Sequence, residues 1–310
     1  MNRAARIALA CLVLLHVAAL AAGFLAPYPY AEQHRDYPYA APMRIHFRGL
    51  EPFVYAPGET SGPEYPVRLF PPGGRLIGVD QPGVLFLLGT DSYGRDVLSR
   101  LLYGARISLF TGLMAAAVSL GLGMLLGAAA GYYGGVTDQI LMRGSELFLA
   151  LPWLYLLLGV RAFLPLHIPT AGTIALLVGM IGGLGWVRPA RLVRGVILSG
   201  KERAFVAAAR GFGASDVYLL RRHLLPLTWN VLTTQATVLI PRYILAEVAL
   251  SFVGLGIAEP VPSWGNMLAD ARDYSSIVFH SWLLAPGLIL VPVLLTYLAL
   301  ADAFLAKDRG

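Results

Sequence analysis

The chain has 310 residues, of which 57% are hydrophobic and only 14% charged, and its mean hydropathy is +0.64. Soluble domains carry about 25% charged residues, so this composition excludes an ordinary soluble domain and points to a membrane. The net charge of +6 would permit a nucleic-acid partner, but its placement along the chain explains it without one.

A membrane-spanning helix needs about 20 apolar residues. Six such runs follow in order: Ile7–Ala26, Ile107–Gly131, Gln139–Val160, Ala171–Val187, Val231–Leu255 and His280–Ala301. Six spans put both termini on one side. Arg3 and Arg6 precede the first run, and Lys307 and Arg309 follow the last. Between the fourth and fifth lie Arg188, Arg191, Arg194, Lys201, Arg203, Arg210, Arg221 and Arg222, against only Glu202 and Asp216. Short cytoplasmic segments carry the excess of Lys and Arg, so this segment and both termini are expected in the cytoplasm. The first run also has a signal peptide's basic start and small residues near Ala18–Ala22. Its length favours a retained span over residues 1–26.

Residues 27–88 form the one sizeable polar region and hold eleven of the 21 prolines. Two readings stand for this extracytoplasmic insert. One is an irregular loop with a few short strands; the other is a small lid that meets an incoming solute-binding protein. Beyond it, Val97, Leu98, Leu101, Leu102 and Ala105 share one helical face, and Arg95, Asp96, Ser99, Arg100 and Arg106 occupy much of the rest. That pattern predicts an amphipathic helix at the outer interface, leading into the second span.

The second span carries small residues every four positions: Ser119, Gly123, Gly127, Gly131 and then Gly135. Such spacing lets two helix backbones approach closely in lipid. The fifth run holds Pro241, Arg242 and Glu247. A charge at a span centre costs about 2.5–3.5 kcal/mol on insertion scales, so Arg242 and Glu247 either meet partners on other helices or line a translocation path.

Residues 201–226 are the most informative stretch. Ala207, Ala208 and Ala209 line a first short helix, Gly211 and Gly213 break it, Ser215 caps a second, and Pro226 opens the next span. A polar, Arg-rich hairpin between spans suits a docking surface for a separate protein. Ala208, Ala209, Gly213, Leu225 and Pro226 fall in register with the EAA loop of ABC-importer permeases, which this stretch resembles. Ala207 stands where that family has Glu. Two further blocks, LLGTDSYGRDVLSRLLYGARISL (87–109) and ILAEVALSFVGLGIAEPVPSWGNMLADAR (244–272), look like the C-type permease subunit of dipeptide, oligopeptide and nickel importers.

The resemblance implies an all-α, six-span bundle of the type I importer kind, with a permease core over 89–310 and multi-pass insertion in the bacterial inner membrane. It implies a second, homologous permease subunit, two cytoplasmic ATPase subunits and an extracytoplasmic solute-binding protein. The ATPases would dock on Phe205, Ala207, Ala208, Ala209, Arg210, Gly211, Gly213, Ala214, Ser215, Leu225 and Pro226. No cofactor and no catalytic or metal site is implied, since ATP hydrolysis belongs to the partners.

The residues give catalysis little support. GVILSGKE (195–202) nearly spells a phosphate-binding loop, but Glu202 replaces the hydroxyl residue that would hold magnesium. The six histidines show no metal spacing. The rivals are a membrane-embedded enzyme using Glu247 or His223, and an ATP-independent channel or carrier. The enzyme lacks a facing polar partner, and the carrier lacks repeated halves with broken spans.

Overall fold

The computed structural model describes residues 3–165 and 168–307. Helix α1 (Arg3–Leu20) and its short continuation α2 (Ala22–Leu25) open the chain. Four strands follow, β1 (His46–Arg48), β2 (Glu51–Val54), β3 (Tyr65–Leu69) and β4 (Ile77–Val79), paired antiparallel in that order. The 37-residue helix α3 (Val97–Tyr133) comes next and is about 56 Å long at 1.5 Å per residue. Helices α4 (Gly135–Ala150) and α5 (Trp153–Ala162) meet at a 93° bend, and α6 (Thr170–Gly185) and α7 (Val187–Lys201) at 45°. A hairpin of α8 (Ala204–Gly211) and α9 (Asp216–Tyr218) leads into α10 (Trp229–Phe252). Two short helices, α11 (Trp264–Ala269) and α12 (Tyr274–Phe279), precede α13 (Ala285–Lys307).

Among the described residues, three helices are long and apolar enough to cross a membrane, and five if each bent pair forms one span. The sharp bend has a local cause. Leu151 and Pro152 are extended, with ψ of 138° and 124°. Proline disfavours helical geometry in the residue before it, so α4 stops and α5 restarts in a new direction. The sequence predicts a span over 139–160; within it the chain breaks at Leu151-Pro152. Helix α10, with Pro241, Arg242 and Glu247 inside it, runs unbroken.

The chain forms two compact units, one of residues 111–246 with the chain ends, the other of residues 6–110 and 247–296. In the first, α3 lies directly on α7. A Cβ added at Gly127 would strike the Ala190 carbonyl, one at Gly123 would strike Pro189, and one at Gly131 would sit 2.8 Å from the Arg194 carbonyl. Lipid tails are as apolar as the helices, so such close backbone packing drives association where hydrophobic burial cannot. The small-residue stripe ends at Gly131. Gly135 has φ +53° and opens α4 with nothing within 4 Å of its Cβ position, so the predicted fifth member takes no part in the packing.

In the second unit, residues 27–88 hold the four-stranded meander. Val54, Val67 and Leu85 form its core, with Met43, Ile45, Tyr65, Ile77, Val79 and Leu87 packed around them. The segment expected as an interfacial amphipathic helix is the start of α3, and most of its polar face is buried, with Arg106 the exposed member. Arg95 is 3% exposed and Arg100 1%. Charges of this kind stay buried only when paired, and the pairs are described below.

Candidate coupling surface

Helix α8 starts after Arg203, whose backbone is extended. It ends at Gly211 with Phe212 as its C-cap, and Gly213 then takes φ +82°, a left-handed conformation that costs a side-chain-bearing residue about 1–2 kcal/mol. Ser215 caps the second helix, its hydroxyl oxygen accepting from the Tyr218 amide at 3.3 Å. Wide and tight turns over 219–228 carry the chain through Pro226 into α10. The hairpin, its glycine break and its serine cap match the pattern in the sequence.

One side of the hairpin is buried and the other is open. Val206, Leu219 and Leu224 pack with Ala128, Tyr132, Val193, Ile197 and Leu232, and Ala209, Ala214 and Leu225 sit at the edge of that cluster. Ala204, Ala207, Ala208 and Gly211 are exposed. They recur at i, i+3, i+4 and i+7, so they form one smooth stripe along α8. Phe205 is 43% exposed and Phe212 94%. An exposed phenylalanine beside a stripe without side-chain bulk makes a knob next to a flat, which suits a cleft on another protein. Arg210 and Ser215 flank the stripe, and Pro226 is exposed at the foot of α10.

The hairpin is fastened to the end of α3 through Tyr132. Its hydroxyl donates to the Asp216 carboxylate and accepts from Arg210 Nη2 at 3.3 Å. Lys201 Nζ donates to the Tyr132 carbonyl at 2.6 Å and lies 5.5 Å from the centre of its ring. Gly200 packs alongside, where an added Cβ would come 2.9 Å from Leu224 Cδ2 and make that side chain shift. The near-phosphate-loop GVILSGKE lies almost wholly on α7, as the last turns of a helix rather than a loop. These hydrogen bonds tie the hairpin to the ends of α3 and α7.

A second constellation joins the two other sequence blocks. Arg95 Nε donates to Asp91 Oδ2 at 2.6 Å, and Arg95 Nη1 donates to Glu259. Arg100 Nη2 donates to Glu259 Oε1 at 2.8 Å, and its Nε lies 3.4 Å from Asp91 Oδ2. Asp96 caps α3, its Oδ2 accepting from the Ser99 amide at 2.7 Å and the Ser99 hydroxyl at 2.6 Å. Burial pushes the Asp96 carboxyl up to about 6, against the pull of the Ser99 hydrogen bonds, and the Asp91 charge adds to the rise. Asp270 is likewise pushed up to about 6, by burial first and then by the Asp91 charge.

The two charges of α10 have different surroundings. Arg242 lies with its guanidinium carbon 4.9 Å from the centre of the Trp153 ring, at a cavity beside the α4–α5 break. Glu247 is fully buried. Its Oε1 accepts from Ser251 at 2.7 Å, and Ser108 and Ser263 also face the carboxyl. It lines none of the cavities described here.

Residues 123–307 match the family described as binding-protein-dependent transport system inner membrane component. The chain belongs to this family. Residues 1–42 match a second family, the N-terminal TM domain of oligopeptide transport permease C. The dipeptide transport system permease protein DppC of Bacillus subtilis is 44% identical over 182 residues, which cover 59% of this chain and 55% of that protein. The oligopeptide transport system permease protein OppC of Haemophilus influenzae is 36% identical over 227 residues, 71% of this chain and 70% of that one. Among solved structures, inward-facing conformations of the MetNI methionine ABC transporter align with a TM-score of 0.45 and 17% identity, covering 66% of this chain and 95% of that one.

The resemblance implies an all-α, six-span bundle; the family match and the mostly helical chain bear out the permease fold, and three to five of the described helices meet the length and hydropathy of a span. Three parts of its machinery escaped the sequence reading. Tyr132 looked like the last aromatic of a span, and only the folded chain brings it to Asp216 and Arg210. Arg95 and Arg100 looked like a wet helix face, and only the return of Glu259 explains their burial. Ser108 and Ser263 lie 155 residues apart in sequence, so no local pattern marks them as neighbours of Glu247.

Proposed function

We propose that this permease is one transmembrane subunit of an ATP-driven importer that moves peptides or chemically similar small solutes inward across the bacterial inner membrane. The observation that carries the reading is the exposed stripe Ala204, Ala207, Ala208 and Gly211, beside Phe205 and Phe212, on a hairpin fastened to α3 through Tyr132. Two cytoplasmic ATPase subunits dock on this hairpin, and a second, homologous permease subunit completes the path. An extracytoplasmic binding protein delivers the solute on the side of the 27–88 insert. Both termini and the hairpin lie in the cytoplasm, as the Lys and Arg excess favours. ATP-driven closure of the ATPases pushes on α8, and the push passes through Tyr132 and Lys201 to α3 as a rigid-body movement. Hydrolysis stays on the ATPases. Arg242 belongs to the translocation path in this reading, and Glu247 holds α10 in place beside it. The names of the relatives, dipeptide and oligopeptide permeases, support the solute class.

Copurification after co-expression with candidate ATPase subunits tests the docking step. Ala208 is exposed, so Ala208→Asp leaves the fold intact while placing a charge on the stripe. We expect at least about tenfold less ATPase retained, roughly the 1.4 kcal/mol that a tenfold change represents. Retention equal to the unsubstituted protein, with normal solute-stimulated hydrolysis, would remove α8 as the docking surface.

A further inference from the structure

A cavity of about 160 Å³ lies where three parts of the first unit meet: the α4–α5 break, the α6–α7 bend and the middle of α10. One water needs roughly 10–15 Å³ on this measure, so the space admits a small polar group with several waters. Its polar lining is unbalanced. Arg188 and Arg242 both face it, and the charge acting on Arg242 is that of Arg188, of the same sign. No carboxylate lies within ion-pair distance of either among the described residues, and no acidic side chain lines the cavity. Trp153 lines it too, and its buried Nε1–H has no hydrogen-bond partner among the described residues. Trp153 is also the first residue of α5, a helix that no side chain caps. The positive end of that helix therefore sits at the cavity wall.

Two guanidinium groups, an unpaired indole N–H and an uncapped helix start are donors, and the one acceptor side chain of the lining, the Tyr243 hydroxyl, is already bonded to Ser119 at 2.9 Å. The buried indole N–H left unpaired is costly, and the like charges of half-buried Arg242 and exposed Arg188 repel across the cavity. One anion would satisfy all of them at once. The planar fork of arginine fits a carboxylate with two parallel hydrogen bonds, and broken helices in transporters present their N-termini to anionic groups of the solute. We propose that this cavity receives the carboxylate of the solute in transit, with Arg242 as its principal donor and Arg188 and Trp153 in support. For a peptide this is the free C-terminus. The inference rests on the importer reading above and adds to it the part of the solute that the permease itself recognises.

The test uses the whole importer reconstituted with its binding protein in vesicles. Uptake of alanyl-alanine is compared with uptake of its C-terminal amide, for the unsubstituted complex and for Arg242→Gln. The binding protein is the same in both, so its own preference cancels when the two acid-to-amide ratios are divided. We expect Arg242→Gln to lower that ratio about tenfold, which is what losing 1.4 kcal/mol of discrimination gives. Arg188→Gln, at an exposed position, should lower it less and guards against a folding defect in the first variant. Measurable uptake with an unchanged ratio in both variants overturns this inference and leaves the importer reading intact. No uptake of either solute by the unsubstituted complex overturns the importer reading itself. A lipid phosphate is the other source of an anion. A defect in Arg242→Gln that appears only in vesicles containing anionic lipid, and equally for acid and amide, assigns the cavity to lipid and also overturns the inference.

Discussion

The Tyr132 hydroxyl donates to the Asp216 carboxylate and so joins the last turn of α3 to the first turn of α9. The bond closes a short circuit, since Arg210 on α8 donates to the same hydroxyl and Lys201 at the end of α7 holds the carbonyl of the same residue. Four helices therefore converge on one tyrosine. In the proposed mechanism that tyrosine is the rigid link between the docked ATPase and the membrane spans.

Tyr132→Phe removes the link and keeps the ring. Hydrogen bonds to charged groups contribute about 1.5–3 kcal/mol each, so a loss of about 2 kcal/mol in hairpin anchoring is expected. The protein should still insert, and the ATPase should still copurify, because the exposed stripe is untouched. Solute uptake per ATP hydrolysed should fall several-fold. Equal uptake per ATP in both proteins would show that the link does not transmit the stroke.

The α3–α7 contact makes a prediction about bulk. Gly127 has no room for a side chain against the Ala190 carbonyl, whereas Gly121, on the same helix, has nothing within 4 Å of its Cβ position. Gly121→Ala should be neutral or slightly stabilising, since alanine favours a helix by about 1 kcal/mol over glycine. Gly127→Leu should separate the helices and lower the thermal midpoint of the detergent-solubilised protein by several degrees. Equal midpoints for Gly127→Leu and Gly121→Ala would mean that the two helices do not rest on each other at this point.

The hairpin was legible in the sequence because its signals are local. A glycine at a left-handed turn, a serine cap and a proline at the start of a span are each fixed by neighbours a few residues away. The i, i+4 glycines were legible for the same reason, up to Gly131. The ion network was not legible. Arg95 and Arg100 alternate with apolar residues as any interfacial helix would, and their burial depends on Glu259, more than 150 residues later. The break at Leu151-Pro152 was hidden differently. Proline is tolerated inside membrane helices, and Pro241 and Pro292 do sit in unbroken helices here, so hydropathy alone could not tell a kink from a 93° turn.

The Asp96 carboxyl sets a pH dependence. Its folded value of about 6 lies above the ordinary 3.8, so the folded chain holds this proton more tightly than the unfolded chain. The stabilisation is full below pH about 4, falls as the pH rises toward 6, and is gone above that. Two units correspond to about 3 kcal/mol as an upper bound. Asp96→Asn keeps an oxygen for Ser99 and cannot titrate. The unsubstituted protein should therefore lose stability relative to Asp96→Asn between pH 4 and pH 6, followed as thermal midpoints in detergent. Parallel curves for the two proteins over that window would place the Asp96 carboxyl in the ordinary range.

Glu247 separates a structural role from a direct one. Its Oε1 accepts from the Ser251 hydroxyl one turn along α10 at 2.7 Å. Ser108 on α3 and Ser263, which caps α11, lie beside the carboxyl, and Oε2 is buried without a hydrogen-bond partner among the described residues. The same Ser108 oxygen accepts from the Trp264 amide at 3.1 Å, and the Asn266 side chain donates to the carbonyls of Ile257 and Val261. The carboxyl thus anchors the start of the 254–263 loop, whose far end supplies Glu259 to Arg95 and Arg100. Glu247→Gln keeps one oxygen and similar volume, and serine hydroxyls can reverse their direction to accept from the new amide. It should cost about 1 kcal/mol, one net hydrogen bond, with assembly retained and uptake slowed less than about tenfold. Glu247→Lys brings a cation among hydroxyls with no anion to pair with. Breaking a buried charged site in this way costs about 3–5 kcal/mol, so the complex should fail to assemble. Uptake in reconstituted vesicles, with complex formation measured separately, decides between the two roles. Full assembly of Glu247→Gln with uptake abolished would show that the carboxylate itself acts on the solute's path, because an anchoring residue replaced by so close a mimic could not stop transport alone.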